Sequence, residues 1–106
     1  MPVMEISVVP LGTRTTSISR YVKHALDTIK KEKGLKSELT AMGTLVEARS
    51  VDRLMKVAGK VHKAAFSSAG KGKVQRVITT VLIDDRRDKK VTIEGKVRSV
   101  TRGKKK

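Results

Sequence analysis

Apolar and polar residues alternate from Val3 to Val9. Met4, Ile6 and Val8 fall on one side and Glu5 and Ser7 on the other, the period-two pattern of a strand with one buried face. Pro10-Leu11-Gly12-Thr13 ends it. The period then lengthens: Ile18, Tyr21, Val22, Ala25, Leu26 and Ile29 recur at helical spacing, which predicts a helix capped near Ser17, running to about Lys33 and stopped by Gly34. Lys36 to Ala41 and Gly43 to Ala48 read as two strands of a hairpin, with Gly43 a tight connection or a bulge between them. Ser50 is a second N-cap candidate. It precedes a stripe of Val51, Leu54, Met55, Ala58, Val61, Ala65 and Phe66, with Lys56, Lys60 and Lys63 off the stripe, and this helix should end within Ser67-Ser68-Ala69-Gly70. Beyond the Gly70-Lys71-Gly72-Lys73 loop, Val74 to Ile83 is dense in β-branched residues and apolar on both faces. The segment from Val91 to Val100 fits a strand or a short helix, and the spacing of Ile93, Val97 and Val100 favours the helix.

The order β-α-β-β-α-β predicts an α+β, ferredoxin-like sandwich: an antiparallel sheet with both helices on one face, plus a short C-terminal element. Residues 1–100 make a single domain, and Thr101 to Lys106 form a basic tail expected to be mobile. Two helices on one side can bury only one face of the last strand. Its other apolar face therefore predicts self-association through the sheet.

Composition adds two constraints. The 106 residues are 38% hydrophobic, enough for one core, and the only aromatics are Tyr21 and Phe66, so that core is aliphatic. The absence of cysteine excludes a disulfide framework and thiolate metal sites and fits a reducing compartment. No stretch resembles a signal peptide or a membrane span, so a soluble cytoplasmic protein without a membrane partner is the default expectation. Charge is the departure from the ordinary: 25 Lys and Arg against 10 Asp and Glu give a net charge of +15. Such an excess invites a reading as a nucleic-acid-associated module using Lys-rich helix faces and the Lys104 to Lys106 tail. Against it, single-strand readers stack bases on aromatic platforms, and two aromatics supply none.

In so basic a chain the strand carboxylates carry the most information, because an unpaired buried carboxylate is costly. Glu5 and Ser7 point to the sheet face opposite the helices, where Glu5 would hold a ligand cation or amino group and Ser7 would orient it. An ion pair with Arg76 or plain solvent exposure explains Glu5 equally. Glu47 could share a face with Gly43, whose missing side chain would admit a ligand ring, although a hairpin Gly more often serves a positive φ. His24 and His62 have no partner at metal-ligand spacing, so no metal or other cofactor is expected. No Ser/His/Asp arrangement or acid/base pair can be assembled, which argues against an enzyme. Asp84-Asp85-Arg86-Arg87-Asp88-Lys89 reads as a self-neutralising turn or a paired-Asp clamp, and Gly70-Lys71-Gly72-Lys73 lacks the P-loop spacing.

Six phrases in order carry a family resemblance: Glu5-Ile6-Ser7-Val8-Val9-Pro10-Leu11-Gly12-Thr13, Ser17-Ile18-Ser19-Arg20-Tyr21-Val22, Gly34-Leu35, Glu38-Leu39-Thr40-Ala41-Met42-Gly43-Thr44, Arg76-Val77-Ile78-Thr79-Thr80 and Ile83-Asp84-Asp85-Arg86-Arg87-Asp88-Lys89. Together they resemble the small thiamine-binding protein family, over nearly the whole chain. The resemblance implies a non-enzymatic, ferredoxin-like subunit that associates with itself, as a dimer or as a homotetramer built from two dimers. It also implies a site for thiamine or its hydroxymethylpyrimidine moiety near subunit contacts. The matched positions are Glu5, Ser7, Ser19, Tyr21, Gly43, Thr44 and Glu47. In that picture Glu5 and Glu47 supply carboxylates, Ser7, Ser19 and Thr44 orient the ring, and Tyr21 stacks on it or makes a cation–π contact. A net charge of +15 repels a cation at long range, which leaves an anionic form such as thiamine phosphate open.

Overall fold

The computed structural model describes residues 1–12, 18–68 and 74–103, the side chain of Arg102 apart. Ser17 as a cap, the Gly70-Lys71-Gly72-Lys73 loop and the Lys104 to Lys106 tail lie outside the described residues. The period-two segment forms β1 (Val3–Leu11). It is followed by α1 (Ser19–Lys30), β2 (Lys36–Leu39), β3 (Thr44–Glu47), α2 (Val51–Ser67), β4 (Arg76–Asp84) and α3 (Ile93–Gly103). The strands pair antiparallel in the order β2-β3-β1-β4, the sheet of a ferredoxin-like α+β fold.

Alternation in β1 decides which face is the core. Met4, Ile6 and Val8 are buried with Val46 against Ala25 and Ile29 of α1 and Leu54, Val57 and Val61 of α2, so both helices cover one face. In β4, Val77, Val81 and Ile83 pack on this cluster, leaving Ile78 and Leu82 exposed on the opposite face. The charged run after β4 is a self-neutralising turn: Arg86 pairs with Asp88, and Arg87 with Asp85 at 3.0 Å.

Three boundaries differ from the sequence reading. α1 stops at Lys30, short of Lys33: its end tightens as the N–H of Glu32 donates to the Ile29 carbonyl at 3.0 Å. Gly34 then turns the chain at φ +77°. The hairpin strands are shorter than expected because Thr40 organises the turn between them: its hydroxyl donates to the Gly43 carbonyl at 2.9 Å and accepts from the Gly43 N–H at 3.2 Å. α3 continues through Gly103, past residue 101 where the tail was expected to begin.

α3 also corrects the picture of a sheet face bare of helices. Val91 and Ile93 form a second small core with Val3 and Leu45 on the face away from α1 and α2. Lys96 pairs with Asp84 and Lys36 with Glu94, tying α3 to both edge strands. The helix thus covers the end of the sheet where β1 begins, and leaves Val9, Ile78 and Leu82 exposed.

Leu54 is completely buried where α2 meets the sheet. Leu54→Ala should therefore destabilise the domain by about 3 kcal/mol, through lost transfer energy and a residual cavity. A lower urea midpoint with unchanged slope would show it.

Candidate functional site

β1 is paired along its whole length with β4, from Val3 opposite Asp84 to Leu11 opposite Arg76. On its other side β3 reaches only from Val3 opposite Glu47 to Ile6 opposite Thr44. From Ser7 onward that edge of β1 has no strand beside it. The hairpin turn at 40–43 stands at one side of the gap and the first half of α1 at the other. Between them lies a cavity of about 680 Å³.

Its walls follow from the helical period. α1 carries two adjacent apolar stripes: Tyr21, Ala25 and Ile29 enter the core, whereas Ile18, Val22 and Leu26 stand beside them and line the cavity. Leu39, Ala41 and Met42 come from the hairpin and Val9 from β1. The polar lining is Ser7, Ser19, Thr40, Thr44 and Lys23. Thr44 lies opposite Ile6 and so faces the helices; it is 4% exposed, and among the described residues nothing bonds its hydroxyl. No buried side-chain polar atom among the described residues is both closed off and unbonded, so the Thr44 oxygen opens into the cavity.

The sequence-derived candidates divide. Ser7, Ser19, Gly43 and Thr44 meet in this cavity. Tyr21 does not line it: at 6% exposure it lies on the buried stripe of α1. Glu47 is also occupied elsewhere, because it shares the face of Val3 and its Oε1 accepts the N–H of Ile93 at 2.9 Å, capping the first turn of α3. Glu47 lies on that face as expected, and the geometry explains its burial by a helix terminus. Ile18, Val22, Lys23, Leu26, Leu39, Thr40 and Met42 were missed. For Ile18, Val22 and Leu26 the signal was present in the width of the α1 apolar face, which exceeds what one core contact needs.

Glu5 stands between these cases. It is half-buried on the face opposite α1 and α2, and among the described residues it makes no hydrogen bond or ion pair. The Arg76 pairing fails within the chain, since Arg76 lies opposite Leu11 and Glu5 opposite Leu82, six positions along the same ladder. Gly43 does not adopt a positive φ; among the described residues the glycines that do are Gly12 and Gly34. It is required by close approach: a Cβ there would come 3.0 Å from the Ile6 carbonyl oxygen, 3.2 Å from Glu5 Cγ and 3.6 Å from Glu5 Cδ. The Glu5 side chain therefore packs directly behind the glycine that lines the cavity.

His62, Lys60 and Glu32 have structural partners. His62 is hydrogen-bonded through Nδ1 to the Thr79 hydroxyl at 2.7 Å and sits edge-on to Phe66. The Lys60 ammonium hydrogen-bonded to Glu32 holds that carboxyl below the usual carboxylate range and ties α2 to the end of α1. Among the described residues, no group of three or more His, Asp or Glu side chains could hold a metal, and no helix is long and apolar enough to cross a membrane.

Comparison with known proteins agrees with this architecture. The model of a family described as thiamine-binding protein matches residues 4–101. A UPF0045 protein of Methanothermobacter thermautotrophicus is 42% identical over 96 residues, covering 91% of this chain and 92% of its own. The crystal structure of the hypothetical protein MJ1052 from Methanocaldococcus jannaschii superposes with a TM-score of 0.82 at 36% identity, over 94% of this chain and 95% of that one. A Thermotoga maritima protein named for thiamine biosynthesis or salvage has a TM-score of 0.73 over 93% of this chain and 97% of its own; at 21% identity it bears on the fold alone.

The capping role of Glu47 has a direct check. Glu47→Ala should cost about 1–2 kcal/mol and accelerate amide exchange selectively in residues 93–103, whereas Glu47→Gln, which keeps an acceptor, should retain most of the protection. Hydrogen exchange read by mass spectrometry distinguishes the two.

Proposed function

The chain belongs to the thiamine-binding protein family, and from that premise we propose that it is a non-enzymatic binder of thiamine or its hydroxymethylpyrimidine moiety, acting in the cytoplasm and seating the ring in the notch beside β1. The observation that carries the reading is the cavity of about 680 Å³ itself, whose apolar walls and few hydroxyls suit a flat heteroaromatic ring. Val22, Leu26, Leu39 and Met42 offer the ring faces an apolar contact, and the Thr44 and Ser7 hydroxyls can donate to or accept from the aminopyrimidine edge. The thiazolium charge has a counter-charge in Glu5, packed behind Gly43. Within the chain Tyr21 and Glu47 have structural duties, so the ligand contacts we assign are Ser7, Gly43 and Thr44, with Glu5 acting from behind.

The same reading assigns self-association to the sheet face that α3 leaves open. Val9 (39% exposed), Ile78 (48%) and Leu82 (62%) lie there, and α3 adds exposed Val97 and Val100. Ser7 and Val9 belong both to this face and to the cavity wall, so a second copy covering the face would stand next to the bound ligand. The half-buried, unpartnered Glu5 is on the same face, where a neighbouring subunit's cation could reach it. The nucleic-acid alternative has exposed Lys30, Lys31, Lys56 and Lys63 in its favour; its stacking platform is missing, since Tyr21 is buried and Phe66 packs on His62.

Isothermal titration tests the site. Thiamine or hydroxymethylpyrimidine should bind with measurable heat, Thr44→Val should weaken binding by about tenfold through loss of one hydrogen bond, and Val22→Trp should abolish it by filling the notch. Absence of heat with both ligands sinks the reading. For assembly, sedimentation velocity of the intact chain should show a dimer or tetramer that Leu82→Glu converts to monomer, because the substitution places a charge at the centre of the apolar face.

A further inference from the structure

Resting on the reading of the notch as the ligand site, we propose that it takes a phosphorylated ligand, a phosphate ester of thiamine or of its pyrimidine, with Lys23 as the phosphate contact. Of the described residues lining the cavity, Lys23 alone carries a charge. It is exposed, and among the described residues no carboxylate pairs with it, so its ammonium is available to an anion entering the notch. α1 reinforces the same sign: Ile18 and Ser19 at its start line the cavity, and its first turn contains no acidic residue to offset the positive end of the helix dipole. An independent feature points to a polar ligand: the Thr44 hydroxyl, on a residue 4% exposed, opens into the same space without a partner among the described residues.

The charge layout has two poles. Lys23 projects from α1, on one wall; the Glu5 carboxylate lies behind Gly43, on the hairpin wall. A free thiamine cation satisfies the Glu5 pole and is repelled by the other. A phosphate ester bearing a cationic or protonatable ring satisfies both, and a charge-assisted Lys–phosphate contact is about twice as strong as a neutral hydrogen bond. The chain-wide charge of +15 then aids capture of the ligand's anionic end.

Titration calorimetry on the intact chain with thiamine and with thiamine monophosphate decides it. The monophosphate should bind at least about tenfold more tightly, and Lys23→Met should close that gap by weakening monophosphate binding, while thiamine binding, relieved of a like charge, should not weaken. Lys63→Met, which removes the same charge from the outer face of α2, should leave the gap intact. Equal affinity for the two ligands overturns the proposal and leaves the notch as a thiamine site. Closure of the gap by Lys63→Met to the same extent also overturns it, since the preference would then belong to the overall field. If neither ligand binds, the assignment of the notch as the ligand site falls as well.

Discussion

β1 is nine residues long, and β3 accompanies only its first four. Most of the functional architecture follows from that mismatch. A strand held by β4 along its entire length cannot bend away from its unpaired side, so the gap beyond Ile6 is kept open by the longest ladder in the sheet. α1 cannot fill it, because Tyr21, Ala25 and Ile29 are committed to the core and fix the rotation of the helix. The hairpin cannot fill it either, since Thr40 ties the turn to Gly43 through both its hydroxyl and its backbone. Three independent restraints thus enclose a space floored by the core residues Ile6, Val8, Ala25 and Val61 and walled by side chains outside the core cluster.

The fold was largely legible from periodicity, and particular residues show where legibility ended. Alternation in β1 and the stripe after Ser50 each needed only local information, and Ser50 does cap α2 by accepting from the Arg53 N–H at 3.1 Å. The C-terminal helix was readable as a helix but not as to place, because Val91 and Ile93 find their partners Val3 and Leu45 only once the sheet exists. Site residues divided for the same reason. The apolar positions of α1 announce a wide face without saying that Tyr21 turns inward while Val22 and Leu26 border a void. Ser7 was reached from strand alternation and Gly43 from its missing side chain, Ser19 and Thr44 through family resemblance; their meeting in one cavity depends on the pairing of β1 with β3, which no local pattern encodes.

Glu5 and Glu47 make the point with two identical side chains on one sheet face. By sequence each is a strand carboxylate in a basic protein. Glu47 lies opposite Val3, beneath the start of α3, and a helix terminus has N–H groups that need an acceptor. Burial there is stabilised by the bond it makes. Glu5 lies two residues further along β1 and over a glycine, where among the described residues no donor bonds it. A position shift of two residues along one strand separates a carboxylate the fold consumes from one it leaves available.

Charge has to be treated at two ranges. At distances beyond about 8 Å in physiological salt a net charge is screened, so +15 governs encounter and solubility more than the energetics inside the notch. Inside, few charges matter, and the apolar walls reduce screening between them. Half of the acidic side chains are engaged with neighbouring cations at the surface: Glu32 with Lys60, Asp84 with Lys96, Asp85 with Arg87, Asp88 with Arg86 and Glu94 with Lys36. Those pairs remove near-field negative charge from the periphery without changing the sign of the whole. Glu5 makes no ion pair among the described residues, and of the unpaired carboxylates it is the one packed against Gly43, a cavity-lining residue with no side chain to separate it from a ligand. A basic protein can in this way present a locally acidic contact to a cationic ring, provided that the rest of the ligand tolerates or welcomes a lysine.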